Sequence, residues 1–340
     1  MANITDVARV AGVSISTVSY ALSGKRPIAD ATKTRIAQAV NELGYRPNAG
    51  ARMLAGSRTN IFALTAPMHE DTHPPALMSF VLSVVTAARS YDYDVLLLTE
   101  GEATTGLRRV ASSSLVDGII MLDVTVEDER IDVIRELGLP TTLIGIPHDT
   151  EGLTCVDLDF EGAARLAVGR LVALGHTSIG LMGHAEALYG RGSNYAPRFR
   201  DAFLAAGSDA GIQTAFHTTV ATRAGVEESL DGLRAQLPGM TALVLNCNEN
   251  IHGILLEVLR EREVPVPEAL SIVSACSSFS TEHFLPPLDV IPLPSQESGR
   301  RAVELAIQQI AGFADPHVEL IAPVYHRKSS TAPPAATVAA

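Results

Sequence analysis

From Asn60 to about residue 310 the chain alternates short, continuously apolar runs with longer segments of helical periodicity, and it does so in two series. Residues 61–66, 95–99, 118–122 and 141–146 read as buried strands, separated by helical stretches at 76–90, 104–114 and 127–137. After Asp157 the pattern resumes. A helix at 160–174 stops at Gly175, and a strand at 179–182 is followed by helices at 198–206 and 224–236. A strand at 242–246, a helix at 251–262, a strand at 270–274 and a helix at 295–310 complete it. Strands that are apolar on both faces belong in parallel sheets covered by helices on each side. Two such series predict an α/β body of two doubly wound parallel-sheet lobes. Ligands of these sheets lie beyond the carboxyl ends of the strands, so the cleft between the lobes is the expected binding site.

At 340 residues the chain exceeds one ordinary core, since a domain takes roughly 100–200 residues. Its 46% hydrophobic and 19% charged content fits a packed globular protein. No apolar run approaches the ~18 residues of a membrane helix. Asn3, Thr5 and Asp6 stand where a signal peptide would be apolar, so a cytoplasmic protein is expected. Cys155, Cys247 and Cys276 are scattered and never spaced as C-x-x-C, which fits reduced, partly buried thiols better than disulfides or a thiolate metal site. No cofactor is implied.

The net charge of −12 conceals a division. Residues 1–60 hold eight Lys/Arg against three acids, a net of +5, which leaves −17 on the other 280. A basic head that meets phosphate and an acidic body that does not would produce this division.

Three short helices fit the head. Thr5 can cap the first, with Val7, Ala8 and Ala11 on one face and Gly12 as its stop. Ser14 can cap a second running to about Ser23, with Val18 and Leu22 spaced i, i+4 on its inner face. A third spans about 30–43, striped by Ile36, Ala39, Val40 and Leu43 and closed by Gly44. Two helices joined by a tight Gly-containing turn form a helix-turn-helix, whose second helix presents its N-terminal side chains to base edges in the major groove. Ile15, Ser16 and Tyr20 lie off the Val18/Leu22 face and are the expected readers; an exposed isoleucine there suits a thymine methyl. Ser14, Thr17, Ser19 and Ser23, with Lys25 and Arg26, suit phosphate contacts.

The run Ile4-Thr5-Asp6-Val7-Ala8, then Ala11-Gly12-Val13-Ser14 and Thr17-Val18-Ser19, resembles the head of the LacI/GalR family of bacterial repressors. Asn41-Glu42-Leu43-Gly44-Tyr45-Arg46-Pro47-Asn48 and Leu54-Ala55-Gly56 continue the likeness. The resemblance implies a hinge helix over 48–56 that folds when two subunits meet on an operator, with Leu54 wedged into a central base step from the minor groove and Ala51 beside it. The family usually has Arg where Tyr20 stands, so its half-site sequence does not carry over. The implied organisation is a helix-turn-helix at 1–46, hinge and linker at 47–59 and a two-lobed effector-binding and dimerisation body at 60–328; the tail at 329–340, rich in Ala, Pro, Ser and Thr, is expected to be disordered from its composition.

The likeness continues in the body at Leu174-Gly175-His176 with Ile179-Gly180, at Val266-Pro267-Glu268 before Leu270-Ser271-Ile272-Val273, at Gly299 near Ala302, and at Arg327 before Ser329-Ser330-Thr331. It implies the fold of type I periplasmic sugar-binding proteins, used as a homodimeric sensor. The family's clamp Arg sits four residues before an aromatic; Phe199 is that aromatic, and Tyr195 occupies the Arg position, flanked by Asn194 and Arg198. Cys247-Asn248-Glu249 falls where the family has an Asn-Asp pair, and Cys276 where it has an Asp. Asp159, near the lobe crossover, matches a family Asp, which implies either a ligand contact or a structural role at the hinge between the lobes. Asn194, Tyr195, Arg198, Asn248, Glu249, Cys276 and Asp159 are therefore expected at the effector, together with His69 at the end of the first strand.

Two patterns invite an enzymatic reading. His69-Glu70-Asp71-Thr72-His73 satisfies H-E-x-x-H, which binds zinc only on a helix, and here Pro67 and Pro74-Pro75 surround it. Gly190-Arg191-Gly192 begins like a dinucleotide fingerprint, but Tyr195 takes the third glycine's place. The leading expectation is a dimeric transcriptional regulator, of repressor type, that binds a palindromic double-stranded DNA operator. A small metabolite, a sugar or sugar derivative, would control its affinity. A solute-binding module would need a signal peptide and no basic head, and a metal hydrolase would need the helix that the prolines interrupt.

Overall fold

Asn3 opens the first helix, α1 (Ile4–Ala11): its side-chain oxygen accepts the amide hydrogens of Thr5 and Asp6, while the Asp6 carboxylate accepts the Asn3 N–H at 3.0 Å. Thr5, expected as the cap, lies inside the first turn instead, because the acid that completes a capping box stands three residues after Asn3. Gly12, at φ 62°, ends α1 in the left-handed region. Ser14 Oγ accepts the Thr17 N–H at 3.1 Å and so starts α2 (Ile15–Ser23). Leu22 corrects the expected inner face: Val18 is fully buried, but Leu22 is 41% exposed, and Ala21 packs inward in its place. The third helix, α3 (Asp30–Leu43), stops at Gly44, and Tyr45 seals a small core of Val7, Ala8, Ala11, Val18, Ile36 and Ala39.

This computed structural model describes residues 2–23, 26–45, 58–69, 72–99 and 104–335, with Ser23 described by its backbone alone. Lys25, Ala51, Leu54 and the hinge reading over 47–57 lie outside the described residues, as does the Ser23 side chain. At the start of the body the Asp117 carboxylate accepts the Thr59 N–H and Oγ1–H and the Asn60 N–H at 2.8–2.9 Å.

The first lobe runs β1 (Ile61–Thr65), α4 (Pro74–Arg89), β2 (Asp94–Leu98), α5 (Thr105–Ser112), β3 (Gly118–Met121), α6 (Arg130–Leu137), β4 (Thr141–Ile144) and β5 (Thr154–Leu158). The chain then crosses into the second lobe through α7 (Phe160–Ala173), β6 (Ser178–Gly183), α8 (Glu186–Gly190), α9 (Tyr195–Asp209) and β7 (Gln213–Thr218). That lobe continues through α10 (Arg223–Gln236), β8 (Ala242–Leu245), α11 (Glu249–Glu261), β9 (Ser271–Ser277) and β10 (Asp289–Pro292). It returns as α12 (Ser295–Ile310), packed on α4, β4 and β5, and β11 (Val318–Ile321). The sheets are ordered β11-β5-β4-β3-β1-β2 and β10-β9-β8-β6-β7, and every neighbouring pair is parallel.

Four strands were not expected from the sequence. β2, β7, β10 and β11 are sheet edges; of the unexpected four, β7 and β11 mix polar with apolar residues, and β10 is a short run ending in Pro292. β5 is central and fully buried, yet carries Thr154 and Asp157. Helices α4 and α9 begin before their expected starts, because proline in a first turn needs no hydrogen-bonded N–H: Pro74 and Pro75 in α4, Pro197 in α9.

The tail needs correction. Ser330 is fully buried and Thr331 nearly so. The Asp289 carboxylate accepts the Lys328 and Ser330 N–H groups, the Tyr325 hydroxyl at 2.6 Å and the Thr331 hydroxyl at 2.8 Å. Ala332 exchanges both backbone hydrogen bonds with Ser271 Oγ. A segment rich in small polar residues lacks its own core, but a buried carboxylate on the sheet edge gives it one to join. Residues 336–340 lie outside the described residues.

Gly299 lets α12 approach α4. A Cβ there would stand 1.9 Å from Ser83 Oγ and 2.9 Å from the Val84 amide nitrogen. Gly299→Ala is expected to lower stability by about 1–3 kcal/mol through overpacking, despite alanine's better helix propensity. Denaturant unfolding of wild type and variant checks this; equal stability would show that the helices can separate without cost.

Candidate functional site

The carboxyl ends of both sheets face one another across a cavity of about 190 Å³. The lobes touch around it. Arg191, just after α8, donates to Asp123, just after β3, at 2.9 Å; Asn194 donates its Nδ2–H to the Ile146 carbonyl at 2.6 Å; and Val126 N–H donates to the Gly192 carbonyl. Residues 191–194 of the second lobe thus lie against loops of the first.

Buried Arg130 holds the first-lobe side of this contact. Its guanidinium donates to Thr65 Oγ1, to the Leu122 and Asp123 carbonyls and to both Asp128 oxygens, tying the ends of β1 and β3 together. Asp123 sits at φ 49°, a left-handed conformation that costs a non-glycine residue free energy, and the Arg130 bond to its carbonyl helps maintain it. Burial works against the charge of Asp128, yet its bonds from Arg130 and the Thr125 amide hold the carboxyl below the usual range.

A second arginine supports the cavity from behind. Asp157, near the end of β5, lines the cavity and is buried; burial pushes its carboxyl up to about 6, opposed by Arg198, whose Nη1 donates to it at 2.7 Å. Arg198 also donates to both Glu161 oxygens at 2.8 and 2.9 Å. Among the other lining groups, burial pushes His73 down, with Glu249 opposing, and pushes the thiols of Cys247 and Cys276 up. Asn246 donates to the Ala275 carbonyl and Tyr195 packs against Phe160 and His184, so amides and aromatic faces border the same space.

Of the expected effector residues, the fold brings Asn194, Tyr195, Asn248 and Cys276 to the cavity. Three expectations, at Arg198, Glu249 and His69, are corrected, and Asp159 takes the structural one of its two readings. Asp159 is the cap of α7, accepting the Gly162 N–H at 2.7 Å. Arg198 is spent on Asp157 and Glu161, and Glu249 faces His283 at 3.3 Å. His69 stands 3.6 Å from Asp123 outside the lining, and His73, at the start of α4, is the histidine of that loop that reaches the cavity. Arg191, Asp123, Asp157, His184 and Asn246 were not anticipated. Asp123, His184 and Asn246 are the first polar residues past buried strands β3, β6 and β8, and that position was the available signal; Asp157 lies inside β5. Arg191 stands four residues before Tyr195, within the incomplete Gly190-Arg191-Gly192 fingerprint and outside any helix. Among the described residues no group of three or more His, Cys, Asp or Glu could hold a metal, and no helix is long and apolar enough to cross a membrane.

On the head, Ile15 is 47% exposed on the first turn of α2 and Ser16 lies open beside it. Ser14 Oγ lies within 2.9 Å of the Ser16 and Thr17 hydroxyls, forming a cluster at the helix start. Thr17, Ser19 and Tyr20 are half-buried, and the guanidinium of exposed Arg26 lies over the Tyr20 ring.

Residues 3–48 match the model for bacterial regulatory proteins of the lacI family, and residues 168–331 the periplasmic binding protein-like domain. The chain is 28% identical over 323 residues to the HTH-type transcriptional regulator CelR of Thermobifida fusca, covering 93% of this chain and 94% of that one. It is 29% identical over 324 residues to the repressor PurR of Vibrio campbellii, covering 91% and 92%. Among solved structures, the lac repressor dimer bound to operator and the anti-inducer ONPF superposes with TM-score 0.80 at 21% identity, covering 97% of this chain and 99% of that one. The CelR–cellobiose complex superposes with TM-score 0.69 at 24% identity, covering 97% and 100%. A lacI-type head joined to a periplasmic-binding-protein-like body, in the order found in relatives matched along nine-tenths of their length, places this chain in the lacI family of DNA-binding transcriptional regulators.

Proposed function

We propose that the protein is a cytoplasmic, non-enzymatic repressor that binds a palindromic operator as a homodimer and responds to a saccharide held between the lobes. Residues 1–46 form the DNA-reading module, 47–59 the hinge and linker, and 60–335 the sensing body. Ser14, Ile15, Ser16, Thr17, Ser19, Tyr20, Ser23, Lys25 and Arg26 face DNA, with Ala51 and Leu54 at the minor groove. Arg191, Asp123, Asp157, Asn194, Tyr195, Asn246 and Asn248 face the effector. The carrying observation is the cavity where both sheets end, bridged by Arg191 and Asp123 from opposite lobes. Carboxylates, amides and a guanidinium match sugar hydroxyls, and Phe160 and Tyr195 offer flat faces for the ring's C–H groups. A ligand touching both lobes biases their relative placement, and that differential contact is what coupling to DNA requires, typically about 1–3 kcal/mol. The relative whose structure holds cellobiose supports the ligand class.

Thermal melts against pentoses, hexoses and disaccharides, followed by calorimetry on those that raise the melting temperature, test the proposal. Arg191→Ala is expected to weaken the selected saccharide roughly 10–100-fold by removing a charged donor, with DNA binding in the absence of ligand retained. If no saccharide stabilises the protein, the ligand class is wrong. If one binds the variant as tightly as wild type, the cleft assignment is wrong.

A further inference from the structure

Tyr20 stands on the outward side of α2, where a guanine-reading arginine would be useful, but a phenol has a single hydroxyl. Guanine presents two acceptors, O6 and N7, in the major groove, and a planar fork of N–H donors satisfies both. The fork is nearby. The Arg26 guanidinium carbon lies 5.1 Å from the centroid of the Tyr20 ring. Among the described residues no carboxylate lies within ion-pair distance of Arg26, and its side chain is exposed. A guanidinium over a ring face is held by the ring's electron density and keeps the N–H groups that point away from the ring free to donate. The contact also restricts a long side chain whose ordering on DNA would otherwise cost rotamer entropy.

We propose that Arg26, held over the Tyr20 ring, is the guanine-reading residue of each half-site, with Tyr20 acting as its platform. This departs from the expectation of a phosphate contact at Arg26, and it rests on the placement of α2 in the major groove. The two residues form one unit: the ring supplies orientation and the guanidinium supplies the paired donors. Ile15, exposed one turn earlier, remains placed for a thymine methyl, so a half-site would be read by one apolar and one bidentate contact.

The test uses the full-length protein, selection from a random double-stranded library, and anisotropy titrations at several salt concentrations. Wild type should require a G·C pair at one position of each half-site. Arg26→Ala should lose roughly 10–100-fold discrimination at that pair, with the preferences at other positions intact. Tyr20→Phe, which keeps the ring, should retain the preference, and Tyr20→Leu should lose it as Arg26→Ala does. Arg26→Lys should recover only part, because an ammonium lacks the fork. A uniform loss across all sequences in Arg26→Ala, with the salt slope reduced by about one, would make Arg26 a phosphate contact and overturn the proposal. Retained G·C preference in Tyr20→Leu would overturn the platform role. Wild type selecting sites without any half-site preference would overturn the groove placement itself, which separates that failure from the other two.

Discussion

A Leu82→Asp variant is expected to run as a monomer and to bind the palindromic operator roughly 10²–10⁴-fold more weakly, because two linked half-site contacts become independent ones. The reason lies in α4, which is apolar on two sides. Leu77, Val81, Val84 and Ala88 face the first-lobe core, as a packed helix requires. Met78, Leu82 and Val85 lie outside at 37%, 59% and 40% exposure, spaced as one stripe, with Leu97 of edge strand β2 also 38% exposed. One inward stripe suffices for folding, so the second is the expected seat of the dimer partner. An aspartate at its centre would have to be desolvated without a partner in the dimer. The side chain points to solvent in the monomer, so the unfolding free energy at dilution should change by no more than about 0.5 kcal/mol. Sedimentation and titrations against palindrome and single half-site decide it: an unchanged mass with unchanged palindrome affinity would remove α4 from the dimer interface.

Arg198→Ala is expected to cost about 3–5 kcal/mol at neutral pH by leaving Asp157 buried beside the cavity without its cation. The loss should depend on pH in a defined direction. Burial raises the folded-state value of Asp157 from an ordinary 3.8 to about 6 even with Arg198 present. A raised carboxyl makes the folded state the better proton binder, so its contribution to stability falls as pH rises from about 4 to 6 and is level above. Removing Arg198 raises the value further and extends the fall into the neutral range. Burial opposes the charge of Glu161, but Arg198 holds its carboxyl below the usual range, a stabilising contribution present at higher pH and lost in the variant. Both effects make the deficit larger at pH 8 than at pH 5. Denaturant unfolding at the two pH values measures it, and equal deficits would mean that Asp157 does not ionise in the folded protein.

Much of the architecture was legible because it depends on short-range pattern. The periodicities of 30–43, 160–174 and 295–310 each returned as a helix within a residue or two, since an apolar stripe closed by Gly44 or Gly175 has few other ways to be buried. Edge strands β7 and β11 were not legible, because a half-solvated edge tolerates the polar residues that loops carry. Asn3 displaces Thr5 as cap by virtue of Asp6, a reciprocal pair spaced three residues apart in the sequence.

The site divided differently. In the head, sequence alone determined the three helices and the exposure of Ile15, which follow from contacts within about forty residues, where spacing along the chain is nearly spacing in space; the cap at Asn3 and the outward turn of Leu22 were settled by the packed structure. Sequence also determined that a cleft would lie where two sheets end. Only the tertiary structure decided which side chains occupy that cleft. Asp123 and Arg191 are 68 residues apart in sequence and 2.9 Å apart across two lobes, and Arg198, adjacent to lining residues in sequence, turns away to hold Asp157. The charge on a side chain is written in its chemistry, but its partner is set by the crossing of lobes, and the partner determines whether that charge faces a ligand or is satisfied within the fold.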